Sequence, residues 1–397
     1  MKKIIGIICA LLLMFNALAQ SNQVDYSELT GGLNTITTAV PFLLISPDSK
    51  AGAMGDVGVA TSPDANSMHW NPAKLAFVDD DMGFSMSYVP WLRALVPDIN
   101  LSYLAGYRKL SDNETFGLEL RYFSLGDITF TDIYGGTLGQ YKPSEFALGT
   151  SYARKLSDNF SLAISGRYIY SNLTGGHAVA DIETVAGQSI AADIAGYYTN
   201  PIRLGGKDFD LAIGGNISNI GSKISYTETA DKDFIPINLR LGTAIGTEFD
   251  DYNKMSFAFD INKLLVPTPP LYVDVDGDGE KEIVSGMDPD VSVVSGIFQS
   301  FGDAPGGFKE EVREINYSIG TEYWYANQFA IRAGYFFEHD TKGGRKFFTF
   351  GSGVKYNVFA LDFSYLINAS RAINGNNPLA NTMRFTLVFD FGAIGES

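Results

Sequence analysis

The chain has 397 residues, of which 45% are hydrophobic and 13% aromatic, and its formal net charge is −16. A chain this acidic offers no basic stripe to neutralise phosphates, which excludes nucleic acid as a natural partner. The single cysteine, Cys9, excludes a disulfide framework and a thiolate metal site.

Residues 1–19 have the pattern of a secretory signal peptide. Lys2 and Lys3 form a basic start, an apolar run follows from Ile4 to Met14, and "ALA" at 17–19 provides small residues for cleavage. The apolar run is shorter than the roughly 20 residues of a membrane-spanning helix. We therefore expect the segment to be cleaved during export, and Cys9 to be lost with it.

Residues 20–80 precede the first predicted strand. Their most distinctive stretch is "GDVGVATSPDANSMHWNPAKLAF", from Gly55 to Phe77, in which His69 is either a catalytic residue or a structural filler. The small residues suit close packing, and the Ser, Asp and Asn residues suit turn and cap hydrogen bonds. Because the stretch lies just before the first strand, we interpret 20–80 as a periplasmic or plug segment. Its plug residues are Asp64, His69, Trp70, Asn71 and Pro72.

Residues 81–391 show period-two alternation in segments of about 10 residues, the length that a tilted strand needs to cross a bilayer. In "NFSLAISGRYIY", from Asn159, Phe160 and Leu162 lie on one face and Ser161 and Ala163 on the other. Either a soluble β-sandwich or a transmembrane barrel alternates in this way. The short turns on one side, the long loops on the other and the export signal favour an all-β antiparallel transmembrane barrel.

Thirteen strands can be counted from the alternation, whereas single-chain bacterial barrels have an even number. They are 81–91, 99–109, 113–124, 145–155, 159–171, 207–219, 237–248, 253–264, 313–325, 327–339, 346–356, 358–368 and 381–391. If all short turns lie at one end, a fourteenth strand is required between 220 and 236. The alternating "SKISYTET" from Ser222 is our prediction for it, with "NISNIGS" as the turn before it.

The predicted barrel therefore has fourteen strands over 81–391, followed by a C-terminal tail at 392–397. Its long extracellular loops are 125–144, 173–206, 265–312 and 369–380. A loop as long as 265–312 is usually functional.

Catalytic chemistry has little support in the sequence. The three histidines, His69, His177 and His339, do not lie at metal-ligand spacing, and none is accompanied by a nucleophile-elbow motif. We predict that the protein is not an enzyme and assign no catalytic residue, although an outer-membrane hydrolase remains a third hypothesis.

The motif "DVDGDGEKE" in the third long loop is typical of a calcium loop. Asp274, Asp276 and Asp278 occupy positions 1, 3 and 5, but position 12 is Ser285 rather than the glutamate of an EF-hand. Glu282 could close a shorter loop. The alternative is a solvated acidic turn, so calcium is the one cofactor that the sequence suggests.

The same loop continues with an apolar stretch outside the predicted membrane region. Such a stretch either folds back into the barrel mouth or binds a partner. As a partner-binding surface it would comprise Val291, Val293, Val294, Ile297, Phe298, Phe301 and Phe308.

Charged residues also fall on the predicted inward face of the barrel. They are Glu119, Arg121, Arg167, Arg240, Asp260, Glu322, Arg332, Asp362, Arg384 and Asp390. Because both signs occur together, we expect a paired network in the lumen rather than a selectivity ring of one sign.

Several stretches resemble known outer-membrane families. "MGDVGVA" and "NPA", at 71–73, resemble the plug segment of the fourteen-stranded FadL-type barrels. "SPDANSMHWNPAKLAF", "RKLSDNETFGLELRYFSLGDITFTD" and "GIFQSFGDAPGGFKEE" resemble the PorV (LptO) family of the type IX secretion system. The resemblance covers nearly the whole chain after the signal peptide.

The resemblance to PorV implies a non-enzymatic protein of the cell outer membrane, in contact with outer-membrane lipid. The even number of strands, with the short turns facing the periplasm, predicts that both termini are periplasmic. The resemblance implies binding to the SprA (Sov) translocon and to cargo proteins with C-terminal secretion signals. It also implies delivery of cargo to the PorU sortase attachment complex. A FadL-like channel for hydrophobic compounds is the alternative function.

Overall fold

The computed structural model describes residues 33–92, 96, 98–131, 134, 136–176, 183–227, 232–369 and 382–392. The predicted signal peptide, the predicted tail beyond residue 392 and His177 lie outside this range. Among the described residues, no helix is both long enough and apolar enough to cross a bilayer.

Fourteen antiparallel strands close into a barrel, which confirms the predicted fold class and strand number. The strands β1, at 82–90, and β18, at 383–391, close it by pairing from Met82 opposite Phe391 to Tyr88 opposite Phe385. The barrel strands are β1 (Met82–Pro90), β2 (Asn100–Ser111), β3 (Glu114–Ser124), β6 (Ser144–Ser157), β7 (Phe160–Asn172), β8 (Gly187–Leu204), β9 (Lys207–Gly221), β10 (Asn238–Glu248), β11 (Asn253–Leu264), β14 (Asn316–Tyr325), β15 (Phe329–Phe337), β16 (Lys346–Tyr356), β17 (Phe359–Asn368) and β18 (Met383–Phe391).

The remaining elements of the described residues are short, and they lie in the connections between barrel strands or precede β1 in the sequence. Two hairpins are β4 (Ile128–Thr131) with β5 (Thr137–Tyr141), and β12 (Leu271–Val273) with β13 (Glu282–Ser285). The helices are α1 (Ser49–Ala53), α2 (Ser67–Trp70), α3 (Val293–Gln299) and α4 (Phe308–Arg313). Three 3₁₀ turns span Pro41–Leu44, Pro72–Phe77 and Asp340–Lys342.

The predicted position of the fourteenth strand is wrong. The missing strand is β8, inside the segment predicted to be the loop 173–206, whereas the described residues of 222–236 (222–227 and 232–236) contribute only a single bridge between Ile224 and Asp233. Much of β8 carries small residues on both faces, such as Ala192 and Gly196 outward and Ala191 and Ala195 inward, so its alternation is faint. Ile224 is buried in the packed interior, which gave its segment a misleading apolar pattern.

Six short turns lie at one end of the barrel, here called the short-turn end, and join β2–β3, β6–β7, β8–β9, β10–β11, β14–β15 and β16–β17. The predicted turn at "NISNIGS" is not among them, since those residues lie in β9 and just after it. The turn that the sequence did not predict is the β8–β9 turn at Gly205–Gly206. Both glycines have positive φ, the conformation that a type I′ hairpin turn requires.

The opposite end, here called the long-loop end, carries the longer connections. The longest is the β11–β14 loop, residues 265–315, which contains β12, β13, α3 and α4. The connection from β7 to β8 spans only 173–186, because β8 occupies most of the predicted loop. Most of the predicted loop 369–380 lies outside the described residues.

Outward side chains along the strands are apolar and exposed, and inward ones are largely buried. On β3, for example, Phe116, Leu118 and Leu120 point outward, while Glu119 and Arg121 point inward and are almost fully buried. This arrangement suits a barrel in lipid, where apolar residues face hydrocarbon and polar residues face the interior.

Candidate functional site in the lumen segment and the β11–β14 loop

Residues 34–78, here called the lumen segment, lie against the inner wall of the barrel. The Asn34 N–H donates to the carbonyl of Thr341 at the long-loop end (2.9 Å). At the other end, the Asp81 N–H donates to the carbonyl of Phe391 (3.1 Å) at the start of β1. The segment therefore runs the length of the barrel, and the two described ends of the chain lie at opposite ends of it.

Hydrogen bonds fasten the lumen segment to strands on several sides of the barrel. The Ser49 N–H donates to Thr386 Oγ1 and the Gly55 N–H to Thr349 Oγ1, both at 2.8 Å. Asp260 Oδ2 accepts from the N–H groups of Gly58 and Val59 at 2.8 and 3.0 Å. These bonds satisfy backbone donors that irregular structure would otherwise leave unpaired in the interior.

Small residues allow the lumen segment to approach the wall closely. A Cβ atom on Gly334 of β15 would lie 2.0 Å from the carbonyl carbon of Met54. A Cβ on Gly214 of β9 would lie 2.5 Å from the carbonyl oxygen of Val59. The inward glycines of the wall therefore leave room for the backbone of the lumen segment.

The five predicted plug residues all belong to the lumen segment. Asp64 pairs with Lys50 at 3.0 Å. Trp70 Nε1 donates to Asp48 Oδ1 at 2.7 Å. Asn71 Oδ1 accepts from the Ala73 N–H at 3.1 Å and caps the turn that begins at Pro72.

His69 lies between two arginines, almost fully buried. Its Nδ1 is 2.6 Å from Arg121 Nη2, and its Nε2 is 3.4 Å from Arg240 Nη1. Two guanidinium groups disfavour a charged imidazole and do not resemble the carboxylate and serine partners of a nucleophilic triad. The surroundings of His69 thus fit its interpretation as a structural filler. His339 begins the turn Asp340–Lys342, where Nδ1 accepts from the Thr341 N–H.

Six of the ten predicted inward charges pair with one another, which confirms the predicted network in part, and Arg384 pairs with Asp56 of the lumen segment instead. Glu119 accepts from Arg121 at 3.1 Å and from Arg167 at 2.8 Å, and Arg167 also pairs with Asp193 at 3.0 Å. A second group joins Arg332 to Glu322 (2.6 Å) and Asp362 (2.5 Å). Buried charges in such pairs avoid the cost of an isolated charge away from water.

Two cavities border the lumen segment. One of about 400 Å³ lies beside β10, β11, β14 and β15 and includes Asp56, Arg240 and Asp260 in its lining. The other, of about 730 Å³, is lined by residues near the short-turn end, including Asp64 and Glu322. Both linings carry charged groups of both signs, so neither is a purely apolar chamber.

The apolar residues of the β11–β14 loop divide into two groups. Val291, Val293 and Ile297 pack against the interior beneath the loop. Val294, Phe298 and Phe301, which we call the apolar stripe, are 63%, 73% and 54% exposed. Phe308 on α4 is 82% exposed. One face of α3 therefore folds back onto the barrel, as one of the two alternatives for this stretch predicted, and the other face is exposed.

The predicted calcium ligands are partly brought together. The carboxylates of Asp274, Asp276 and Asp278 lie within 4.8 Å of one another in the exposed turn between β12 and β13. Glu282 begins β13, and its Oε2 accepts from the Val275 N–H at 2.9 Å.

A buried ionic cluster at the base of the β11–β14 loop was missed from the sequence. Lys263 pairs with Glu311 (3.1 Å) and Glu314 (2.5 Å), and Lys342 pairs with Glu310 (2.6 Å) and Glu314 (2.9 Å). One signal was available: Lys263 occupies an outward position on a lipid-facing strand, where an apolar residue is expected.

The family model described as "Type IX secretion system protein PorV" matches residues 29–271. No curated protein sequence matches the chain.

Solved structures of similar fold are outer-membrane proteins. The toluene transporter TodX from P. putida is 10% identical with a TM-score of 0.50, over 86% of this chain and 98% of that chain. The toluene transporter TbuX from Ralstonia pickettii is 12% identical with a TM-score of 0.45, over 87% and 98%. A FadL homologue from Pseudomonas aeruginosa is 12% identical with a TM-score of 0.42, over 87% and 99%. At these identities the likeness extends to the fold alone.

Proposed function

The chain belongs to the PorV family of type IX secretion system proteins and is an outer-membrane barrel, and on this basis we propose that it is a non-enzymatic, partner-binding component of that system. In this proposal the long-loop end faces the cell exterior and the short-turn end faces the periplasm. The barrel binds the SprA (Sov) translocon, receives cargo with C-terminal secretion signals, and delivers that cargo to the PorU sortase attachment complex.

The apolar stripe is the observation that supports this proposal best. Val294, Phe298 and Phe301 follow one another at intervals of four and three residues, so they share one face of α3 and its end. The opposite face, with Val293 and Ile297, packs against the interior and holds the helix in place. A held helix with a free apolar face resembles the anchors of helix-in-groove recognition.

Large exposed aromatic side chains dominate the energy of many protein interfaces. Phe298 is 73% exposed in the isolated chain, and covering it would remove apolar area from water. The Ser292 hydroxyl accepts from the Ser295 N–H and caps α3, so the face is presented before any partner arrives. A preformed face lowers the ordering cost of binding.

The experiment replaces Val294 and Phe298 by serine and measures capture of SprA, capture of cargo and surface attachment of a cargo reporter. We expect capture of at least one partner to fall by about tenfold or more, because truncating a central aromatic anchor commonly costs at least 2 kcal/mol. The matched control is Val275→Ser, an exposed valine of the same loop outside the stripe. Wild-type capture of both partners, with normal secretion, would show that the stripe is not the docking surface.

A FadL-like channel for hydrophobic compounds is the second candidate function. The two cavities on the lumen segment support it, but the charged linings do not suit an apolar solute. A channel would admit a hydrophobic fluorophore into liposomes that contain the protein faster than into empty ones. Equal rates of fluorophore entry would reject the channel function, and partner binding would be the remaining candidate.

A further inference from the structure

An apolar groove of about 250 Å³ lies between the outer wall of the barrel and the β11–β14 loop. Its inner side is formed by outward side chains of β10 and β11, and its outer side by side chains near and on α4. The lining includes Leu239, Leu241, Ile261, Phe301, Phe308 and Val312.

The ionic cluster at the base of the loop holds α4 against the wall. Glu311 and Glu314 face the barrel and pair with Lys263, which points outward from β11. Phe308 and Val312, four residues apart, share another face of α4 and line the groove. The charges thus fix the position of the helix while its apolar face stays open.

The chemistry of the groove favours a neutral hydrocarbon. Lys263 and Glu311 are the charged residues of its lining, and they pair with each other at 3.1 Å. Within the lining these two charges neutralise each other, and a polar group placed between Leu241, Ile261 and Val312 would lose its hydrogen bonds to water. The ligand part that fits is an aliphatic chain.

The groove continues the lipid-facing surface of the barrel. Leu241, opposite Ile261 in the β10–β11 register, is 44% exposed. Further along the same outward face are Phe257 and Phe259 on β11 and Ile213 on β9, all of them exposed. A lipid chain lying along this surface can therefore enter the groove without crossing a polar barrier.

From these observations we propose that the groove binds one acyl chain of an outer-leaflet lipid, held between the barrel wall and α4. The leaflet follows from the proposed orientation, with the long-loop end outward. The bound chain covers Phe308 and Val312 and closes the apolar surface between the loop and the membrane. It also contacts Phe301, the last residue of the apolar stripe, and leaves Val294 and Phe298 free for a protein partner.

Native mass spectrometry of the full-length protein, released from nanodiscs that contain phosphatidylethanolamine and phosphatidylglycerol, tests this proposal. We expect one lipid to remain bound to the wild-type protein after mild detergent release. Val312→Trp, which fills the groove, and Phe308→Ala, which removes part of its outer side, should each lower the lipid-bound fraction by about tenfold. The control Phe350→Ala changes a lipid-facing residue on the distant strand β16 and should retain the lipid.

A shift in gel mobility on heating confirms that each variant is folded. Equal lipid retention in wild type, Val312→Trp and Phe308→Ala would overturn the proposal, as would a wild-type protein that retains no lipid. Capture of SprA, measured on the same variants, distinguishes a failure of the lipid-site proposal from a failure of the proposed partner-binding function. Val312→Trp, at a residue outside the predicted partner-binding surface, should still bind SprA, and loss of SprA with unchanged lipid would make the groove a protein-binding site instead.

Discussion

Asp303 lies at the base of the β11–β14 loop with an incomplete set of hydrogen bonds. One carboxylate oxygen accepts from the Thr268 N–H at 3.1 Å, and the other is buried without a partner among the described residues. Burial raises the pKa of Asp303 to about 6, and the nearby carboxylates of Glu311 and Glu314 add to the rise. The carboxyl of Asp303 therefore binds a proton more tightly when the β11–β14 loop is folded against the barrel, here called the closed loop, than when the loop is unfolded.

The raised pKa makes the loop less stable as pH rises. The contribution of Asp303 to the stability of the closed loop is greatest below the ordinary aspartate pKa of 3.8 and is lost as pH rises through about 6. We predict that Asp303→Asn stabilises the closed loop by about 2 kcal/mol at pH 7.5, because the neutral amide can still accept from Thr268. The measurement is the rate of proteolysis within 265–315 at pH 5 and pH 7.5.

Wild-type protein should be cleaved faster at pH 7.5 than at pH 5, after normalisation to the control Asp288→Asn, an exposed residue of the same loop. Asp303→Asn should show no such increase. If the cleavage rate of Asp303→Asn rose between pH 5 and pH 7.5 as much as that of the wild type, the pH dependence would arise from a group other than Asp303.

Among the short elements, α3 and the β12–β13 hairpin show how the β11–β14 loop combines order and exposure. Helix α3 is held by Val293 and Ile297 on one side and exposes Phe298 on the other. The hairpin extends three aspartates into solvent, with backbone N–H groups donating to Asp274. Each element has one side that packs and one side that is available to a ligand.

We predict that the hairpin binds calcium through Asp274, Asp276 and Asp278, with a dissociation constant on the order of 10⁻⁴–10⁻³ M, the range of extracellular modules. Calcium would relieve the repulsion among three neighbouring carboxylates, so it should slow proteolysis between 274 and 282. Asp276→Asn should abolish this protection, whereas Glu280→Gln, in the same turn but outside the cluster, should retain it. The same cleavage rate in calcium and in a chelator would mean a solvated acidic turn.

The two ends of the barrel differ in how much structure their connections contain. The short-turn end consists of tight hairpins, and the long-loop end carries the β11–β14 loop, the ionic cluster and the first residues of the lumen segment. Because strands in lipid are constrained by their surroundings, variation in function is concentrated in such loops. The direction in which each end faces therefore decides which partners the protein can meet.

Cysteine labelling tests the proposed orientation. Cys9, the only cysteine of the chain, lies in the predicted signal peptide, so single introduced cysteines give a clean readout. Val275→Cys, in the β11–β14 loop, should react with a membrane-impermeant maleimide on intact cells. Asp158→Cys, in the exposed turn between β6 and β7, should react only after the outer membrane is permeabilised. The reverse pattern would invert the proposed orientation and remove the stripe from the cell exterior.

The sequence by itself determined the barrel, because alternation along a strand directly reflects which face meets lipid. Thirteen strands could be placed within three residues of their observed bounds, and parity required the fourteenth. Parity could not locate β8, because its small side chains weaken the alternation while the apolar pattern near Ile224 belongs to interior packing. The turn at Gly205–Gly206 was the local signal that would have located it.

Only the tertiary structure decided which apolar and charged residues are available for binding. Val293 and Val294 are adjacent and chemically identical, yet the first packs inward and the second is exposed, because the barrel rim covers one face of α3. The pairing of Lys263 with Glu311 and Glu314 joins residues about fifty positions apart. Such contacts depend on how the long loop folds over the wall, which no periodicity in the sequence encodes.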